Sequence, residues 1–152
     1  LKIPLKIRKR FDEYMAFATF VLSAPHARLL PIFALVDSGS PWTALAPMDS
    51  QFLRIPIKTL RKAQEHPRIL FAGDVFWRLL LTDVELVFKD DKGDIAKFEM
   101  PSVSVLDPIA KKPVEEYKGI PSVIGVDFLR LHKMALYLNI HKNTAFLERV
   151  ES

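Results

Sequence analysis

The residues best placed to do chemistry are Asp37, Ser38, Gly39 and Ser40, which stand between the apolar runs Ile32 to Val36 and Trp42 to Ala46. A carboxylate flanked by Phe33, Leu35, Trp42 and Ala44 is expected to be shielded from water, which is costly unless it is hydrogen-bonded or partly protonated. Gly39 can take the positive backbone dihedral of a sharp turn and lets a second backbone or a ligand approach closely. Ser38 and Ser40 each bring a hydroxyl within reach of the Asp or of the turn's own amides. The four residues can thus hold one carboxylate in a fixed orientation, as acid–base chemistry requires. They also suit an ordinary turn joining two strands of a hairpin.

Other chemistries find little support. His26, His66, His132 and His141 are scattered, with no pair at helical or hairpin ligand spacing, so no metal is expected. Cysteine is absent, which excludes thiolate chemistry, a disulfide framework and Cys-based zinc sites. No glycine motif that cradles phosphate occurs, and neither Ser38 nor Ser40 stands in a Gly-x-Ser-x-Gly elbow. No cofactor is expected.

A second stretch, Pro121 to Leu138, reads as a short strand ending in Val123-Ile124-Gly125, a brief helix from about Asp127 to His132, and another strand. Apolar residues before Asp-Ser-Gly, then Val-Ile-Gly-x-x-Phe-Leu about ninety residues later, resemble the retropepsin-like aspartic proteases over Phe33 to Phe146. The resemblance implies an all-β fold, a closed six- to eight-stranded barrel with one or two short helices, in one domain covering residues 1–152. It also implies an aspartic endopeptidase that acts on a peptide or protein in extended conformation. That chemistry needs two carboxylates sharing a proton, one as general base on water and one as acid. This chain has one Asp-Ser-Gly, since Asp74, Asp83, Asp107 and Asp127 lack a following Ser/Thr-Gly. A two-fold homodimer would bring the second Asp37, because an isologous contact sets equivalent residues face to face.

By the same resemblance Ser38 locks the two turns together through the partner's backbone, Gly39 permits that approach, and Ser40 bonds the outer carboxylate oxygen. Ile124 and Gly125 would pack beneath the turn. Trp42 would line the interface or a pocket, or be plain core. A hairpin with arms Ile69 to Phe71 and Val75 to Leu81, bent at Gly73, occupies the position of the family's flap, so Phe71, Ala72, Gly73 and Asp74 are the candidate substrate-covering residues. It reads equally as a core hairpin. The alternative function is a non-catalytic module of this fold that binds a peptide or dimerises.

The elements that must position these residues are mostly short strands. Alternation marks Leu1 to Ile7, Tyr14 to Leu22, Thr82 to Phe88, Ile95 to Met100, Val103 to Leu106, Met134 to Ile140 and Thr144 to Leu147 as strands. Pro47 to Leu53 suits one helical turn, Ile55 to Pro67 is irregular or a short strand, and Asp107 to Gly119 is an exposed loop. Lys2, Lys6, Arg8, Lys9 and Arg10 make the start of the chain basic. That suits a protected edge strand, with nucleic-acid binding by a basic β-barrel as the competing reading. No nucleic-acid partner is expected. No apolar run is long enough to span a bilayer. The absence of stapling leans towards the cytosol, and the start at Leu1 leaves room for an upstream segment.

Overall fold

The computed structural model describes residues 1–10 and 12–150. Period-two alternation of apolar residues yields the strands β1 (Lys2–Pro4), β2 (Lys6–Arg10), β3 (Glu13–Ser23), β4 (Pro31–Val36), β5 (Ala44–Leu45) and β6 (Arg61–Lys62). The chain continues with β7 (Arg68–Phe71), β8 (Asp74–Lys89), β9 (Ile95–Pro108), β10 (Ser122–Ile124), β11 (Met134–Asn139) and β12 (Thr144–Arg149). Two short α-helices, α1 (Pro47–Phe52) and α2 (Val126–Leu131), and 3-10 turns at Ile57–Thr59 and Val114–Tyr117 complete the described elements.

Among the described residues the strands form two sheets. The larger runs β2-β3-β4-β10-β5-β9-β8-β6, with β7 also on β8, and the smaller runs β1-β12-β11. β3 pairs a second time, through residues 21–23 against β8, so the path of pairings in the large sheet returns on itself.

Several expected boundaries move. The strand expected over Leu1 to Ile7 is two strands in different sheets, β1 paired with β12 and β2 with β3. Leu5 then donates its N–H to the Ala145 carbonyl at 2.9 Å. The segments Val75 to Leu81 and Thr82 to Phe88 are one continuous strand, as are Ile95 to Met100 and Val103 to Leu106. β8 and β9 pair from Phe76↔Pro108 to Lys89↔Ile95, and the ladder skips one step where Asp83, at φ 56°, faces Pro101. The loop expected over Asp107 to Gly119 contains the Val114–Tyr117 turn, and Tyr117 is buried with its hydroxyl donating to Ala110 O.

The core is aromatic where α2 meets the long strands. Phe128 is fully buried, with its ring 5.7 Å from Phe88 and 5.5 Å from Phe98. Phe20 packs on Phe88 with ring centroids 5.3 Å apart. Burying each such ring contributes about 1.5–3 kcal/mol, so α2 is held against the sheet mainly by this one side chain. β2 stands at an end of the large sheet, which places Lys6, Arg8, Lys9 and Arg10 on an edge strand. Among the described residues no helix is long and apolar enough to cross a membrane.

Candidate active site

β4 ends at Val36, and residues 37–43 lead on to β5, yet β4 and β5 do not pair. β10 lies between them, parallel to β4 with Ile124 beside Val36, and antiparallel to β5 with Val123 beside Ala44. The hairpin expected across Asp37 is therefore a loop passing over the end of another strand, and the strand expected over Trp42 to Ala46 is only Ala44–Leu45. The physical reason is in β10, whose three residues are all buried and must pair on both sides. The Ile124 carbonyl accepts the Asp37 N–H at 3.0 Å, a bond that a hairpin partner would otherwise supply.

Within the loop, Gly39 N donates to Asp37 Oδ1 at 2.8 Å and Ser40 N to the Asp37 carbonyl at 3.1 Å. A side chain at Gly39 would stand 3.1 Å from Asp37 Oδ1, so the glycine leaves the carboxylate its room. The expected shielding is not found: the Asp37 side chain is half-exposed, Leu35 half-buried and Phe33 exposed. Ser38 and Gly39 are exposed at the tip. Ser40 Oγ donates to the Trp42 carbonyl at 2.9 Å and so braces the loop, instead of bonding Asp37. The Asp37 carboxylate borders a cavity of about 320 Å³ shared with Met15, Leu35, Leu136 and Leu138.

The loop rests on the segment after β10. Val126 N donates to the Ser40 carbonyl at 2.8 Å. A Cβ at Gly125 would fall 2.5 Å from Trp42 O and 2.7 Å from Ser40 O, closer than a carbon can stand. Ile124 and Gly125 therefore lie under the loop.

Thr43 and Asp127, 84 residues apart, hold this packing in place and were not singled out in the sequence. Asp127 Oδ1 accepts from Thr43 N at 2.8 Å, Thr43 Oγ1 at 2.7 Å and Phe128 N at 2.7 Å. Thr43 Oγ1 in turn accepts from Gly125 N at 3.1 Å. The signal was local: Asp127 lies two residues after the Val-Ile-Gly, at the start of α2.

Two further polar groups were also missed. Asp49 on α1 receives the Ser122 hydroxyl of β10, and Ser122 Oγ accepts from Ala46 N at 2.9 Å. Burial pushes the Asp49 carboxyl above its usual value, against the opposing effect of the Ser122 bond. Arg78 of β8 is buried, donating to Glu65 O at 2.6 Å, His66 O at 3.2 Å and Ser104 Oγ at 3.2 Å. Its guanidinium lies 4.1 Å over the Trp42 ring, and burial lowers its pKa from the ordinary value against the attraction of Glu65 and Asp127. Arg78 is the only charge in the apolar run Val75 to Leu81, which is the mark that could have drawn attention to it.

The hairpin over 71–74 is present where it was expected. Phe71 pairs with Asp74, while Ala72 at φ 50° and Gly73 at φ 83° make a tight two-residue turn. Leu70 and Val75 project into solvent. Asp37, Ser38, Gly39, Ser40, Ile124 and Gly125 are thus brought together, and the hairpin connects to them through Arg78 and Trp42. Among the described residues no cluster of His, Asp and Glu is placed to hold a metal ion.

No protein-family model and no curated protein sequence matches the chain. Among solved structures, a retropepsin-like aspartic protease from Rickettsia conorii is similar with a TM-score of 0.55 and 16% identity, covering 97% of this chain and 88% of that one. The fold is of the retropepsin-like kind, mostly β with two short helices.

Gly125→Ala should lower stability by about 1–3 kcal/mol in urea unfolding, because the clash is with backbone that cannot swing aside. Gly119→Ala, with no atom within 4 Å of the added carbon, is the control and should change little. Asp49 gives a pH signature. Its folded pKa lies above the unfolded one, so its contribution is fully present below 3.8 and is lost as pH rises through the folded value. Asp49→Asn should therefore raise the melting temperature at neutral pH and change it less below pH 3.8.

Proposed function

We propose that this chain is an aspartic endopeptidase that works as a two-fold homodimer, with Asp37 of each subunit forming the catalytic dyad. The observation that carries the reading is the Asp37-Ser38-Gly39 loop laid over Ile124 and Gly125, in a chain whose fold matches that of a retropepsin-like aspartic protease. With it goes the reading of the large sheet as a closed barrel, supported by the second pairing of β3 with β8.

A dimer is supported by the small sheet. β11 is its edge strand, with one side unpaired among the described residues. Tyr137, Leu138 and Ile140 are exposed there, an apolar edge that invites a further strand. Leu136 and Leu138 of this strand border the same cavity as Asp37, so a second copy docked on β11 would lie close to the carboxylate. Ser38, exposed at the loop tip, is free to reach the partner's backbone.

In the dyad, one carboxylate takes a proton from water as the water oxygen attacks the scissile carbonyl carbon. The other carboxyl gives its proton to the carbonyl oxygen, forming a tetrahedral diol. Collapse of that diol breaks the C–N bond as a proton passes to the leaving nitrogen. Sharing one proton between two close carboxylates is what the chemistry requires, so activity should favour acidic to mildly acidic pH. The hairpin at 71–74 is the proposed cover for an extended peptide.

Wild-type protein should cleave an unstructured protein such as casein in acid, and Asp37→Asn should lose at least about a hundredfold of that activity. Leu138→Asp, which sets a charge on the apolar edge, should shift the protein to monomer by sedimentation and remove activity while leaving the melting transition in place. Full cleavage by Asp37→Asn, or by a strictly monomeric protein, would refute the proposal.

A further inference from the structure

A second cavity, of about 490 Å³, lies away from Asp37 between α1 and the loop that follows β9. Its size is that of small-molecule sites, which run to about 300–1,000 Å³. Ile55, Leu106, Val114 and Tyr117 give it an apolar floor. The floor offers a ligand no unsatisfied polar atom: the Tyr117 hydroxyl is committed to Ala110 O, and among the described residues no buried side-chain N or O lacks a partner.

The rim has the opposite character. Arg54, Lys111 and Lys112 stand around it, against the single acid Asp107. Lys111 pairs with Asp107 at 3.3 Å and Lys112 with Asp74 at 3.6 Å, while Arg54 is in no ion pair among the described residues. Both pairs reach into solvent, and such pairs contribute about 0–1 kcal/mol, so either lysine can turn to another carboxylate at small cost.

We infer that this cavity binds a single-headed anionic amphiphile of the fatty-acid class, its alkyl chain on the Ile55–Leu106–Val114 floor and its carboxylate among Arg54, Lys111 and Lys112. Charge complementarity selects the sign of the headgroup, and the lack of polar partners on the floor selects an unsubstituted tail. The site also reaches the hairpin of residues 71–74. Lys112 holds Asp74 at the turn, and Ile109 N donates to the Val75 carbonyl at 3.3 Å, so the same loop forms the cavity wall and the hairpin's neighbour. A bound carboxylate that draws Lys112 from Asp74 loosens that turn. None of this depends on the peptidase reading.

The test is titration of the isotopically labelled chain with dodecanoate below its micellar concentration, followed by amide chemical shifts and hydrogen exchange. Saturable one-to-one binding is expected, with shifts centred on residues 54–57 and 106–117. Affinity should fall at least tenfold in the exposed double variant Lys111→Glu/Lys112→Glu, and for dodecanol in place of dodecanoate. Exchange at residues 72–75 should quicken at saturation. Non-saturable binding, shifts centred elsewhere, equal affinity in the double variant, or equal binding by acetate or a tail-less acidic peptide would overturn the site. Unchanged exchange at residues 72–75 would overturn its link to the hairpin.

Discussion

The absence of a side chain at position 125 lets the backbone of residues 40–42 lie directly on the end of β10. Everything near Asp37 depends on that contact. It fixes where the loop crosses, aligns the Ile124 carbonyl with the Asp37 N–H, and leaves the Ser40 carbonyl to take the Val126 N–H. The loop is thereby tied by backbone bonds to a strand distant in sequence, which is a stiffer mounting than a free turn between two paired strands.

Polar groups then secure what the glycine allows. Asp127 Oδ1 gathers three donors and Thr43 Oγ1 accepts a fourth bond, from Gly125 N, so the loop and the start of α2 are tied by four hydrogen bonds. Buried polar networks of this kind stabilise only when complete, and here among the described residues no buried side-chain atom is left over. One layer further in, Asp49 and Ser122 join α1 to β10, and Asp49 is easier to accommodate as the neutral acid. On the far side Arg78 ties Trp42 to the segment before β7, so the hairpin strand and the Asp37 loop share one support.

Strand positions were legible because alternation is a local property: β3, β4, β11 and β12 fall close to where their apolar residues recur. The hairpin of residues 71–74 was legible for the same reason, with Gly73 marking its bend. The order of the strands was not. That β10 separates β4 from β5 follows from pairings between segments about eighty to ninety residues apart, and a three-residue strand carries too little pattern to announce its neighbours. The continuity of β8 past Asp83 was hidden too, since the alternation changes phase there and the sequence alone shows two separate runs, Val75 to Leu81 and Thr82 to Phe88. Asp37, Ser38, Gly39, Ile124 and Gly125 stood out through residue type and order, whereas Thr43, Asp127 and Arg78 act through contacts that only folding creates. The shielding expected around Asp37 failed because β4's alternate face is open at Phe33.

We propose that the Asp37 loop meets its own copy across a two-fold axis. Because the chain contains no cysteine, an Asp37→Cys variant carries a single thiol, and its crosslinking can be read without ambiguity. Mild oxidation of the folded variant, run beside Asn143→Cys on the β11–β12 turn as a control, measures whether two such loops stand face to face. The expected result is rapid, near-complete disulfide dimer at position 37 and slow, concentration-dependent crosslinking at 143. Crosslinking at 37 no faster than at 143 would contradict the claim.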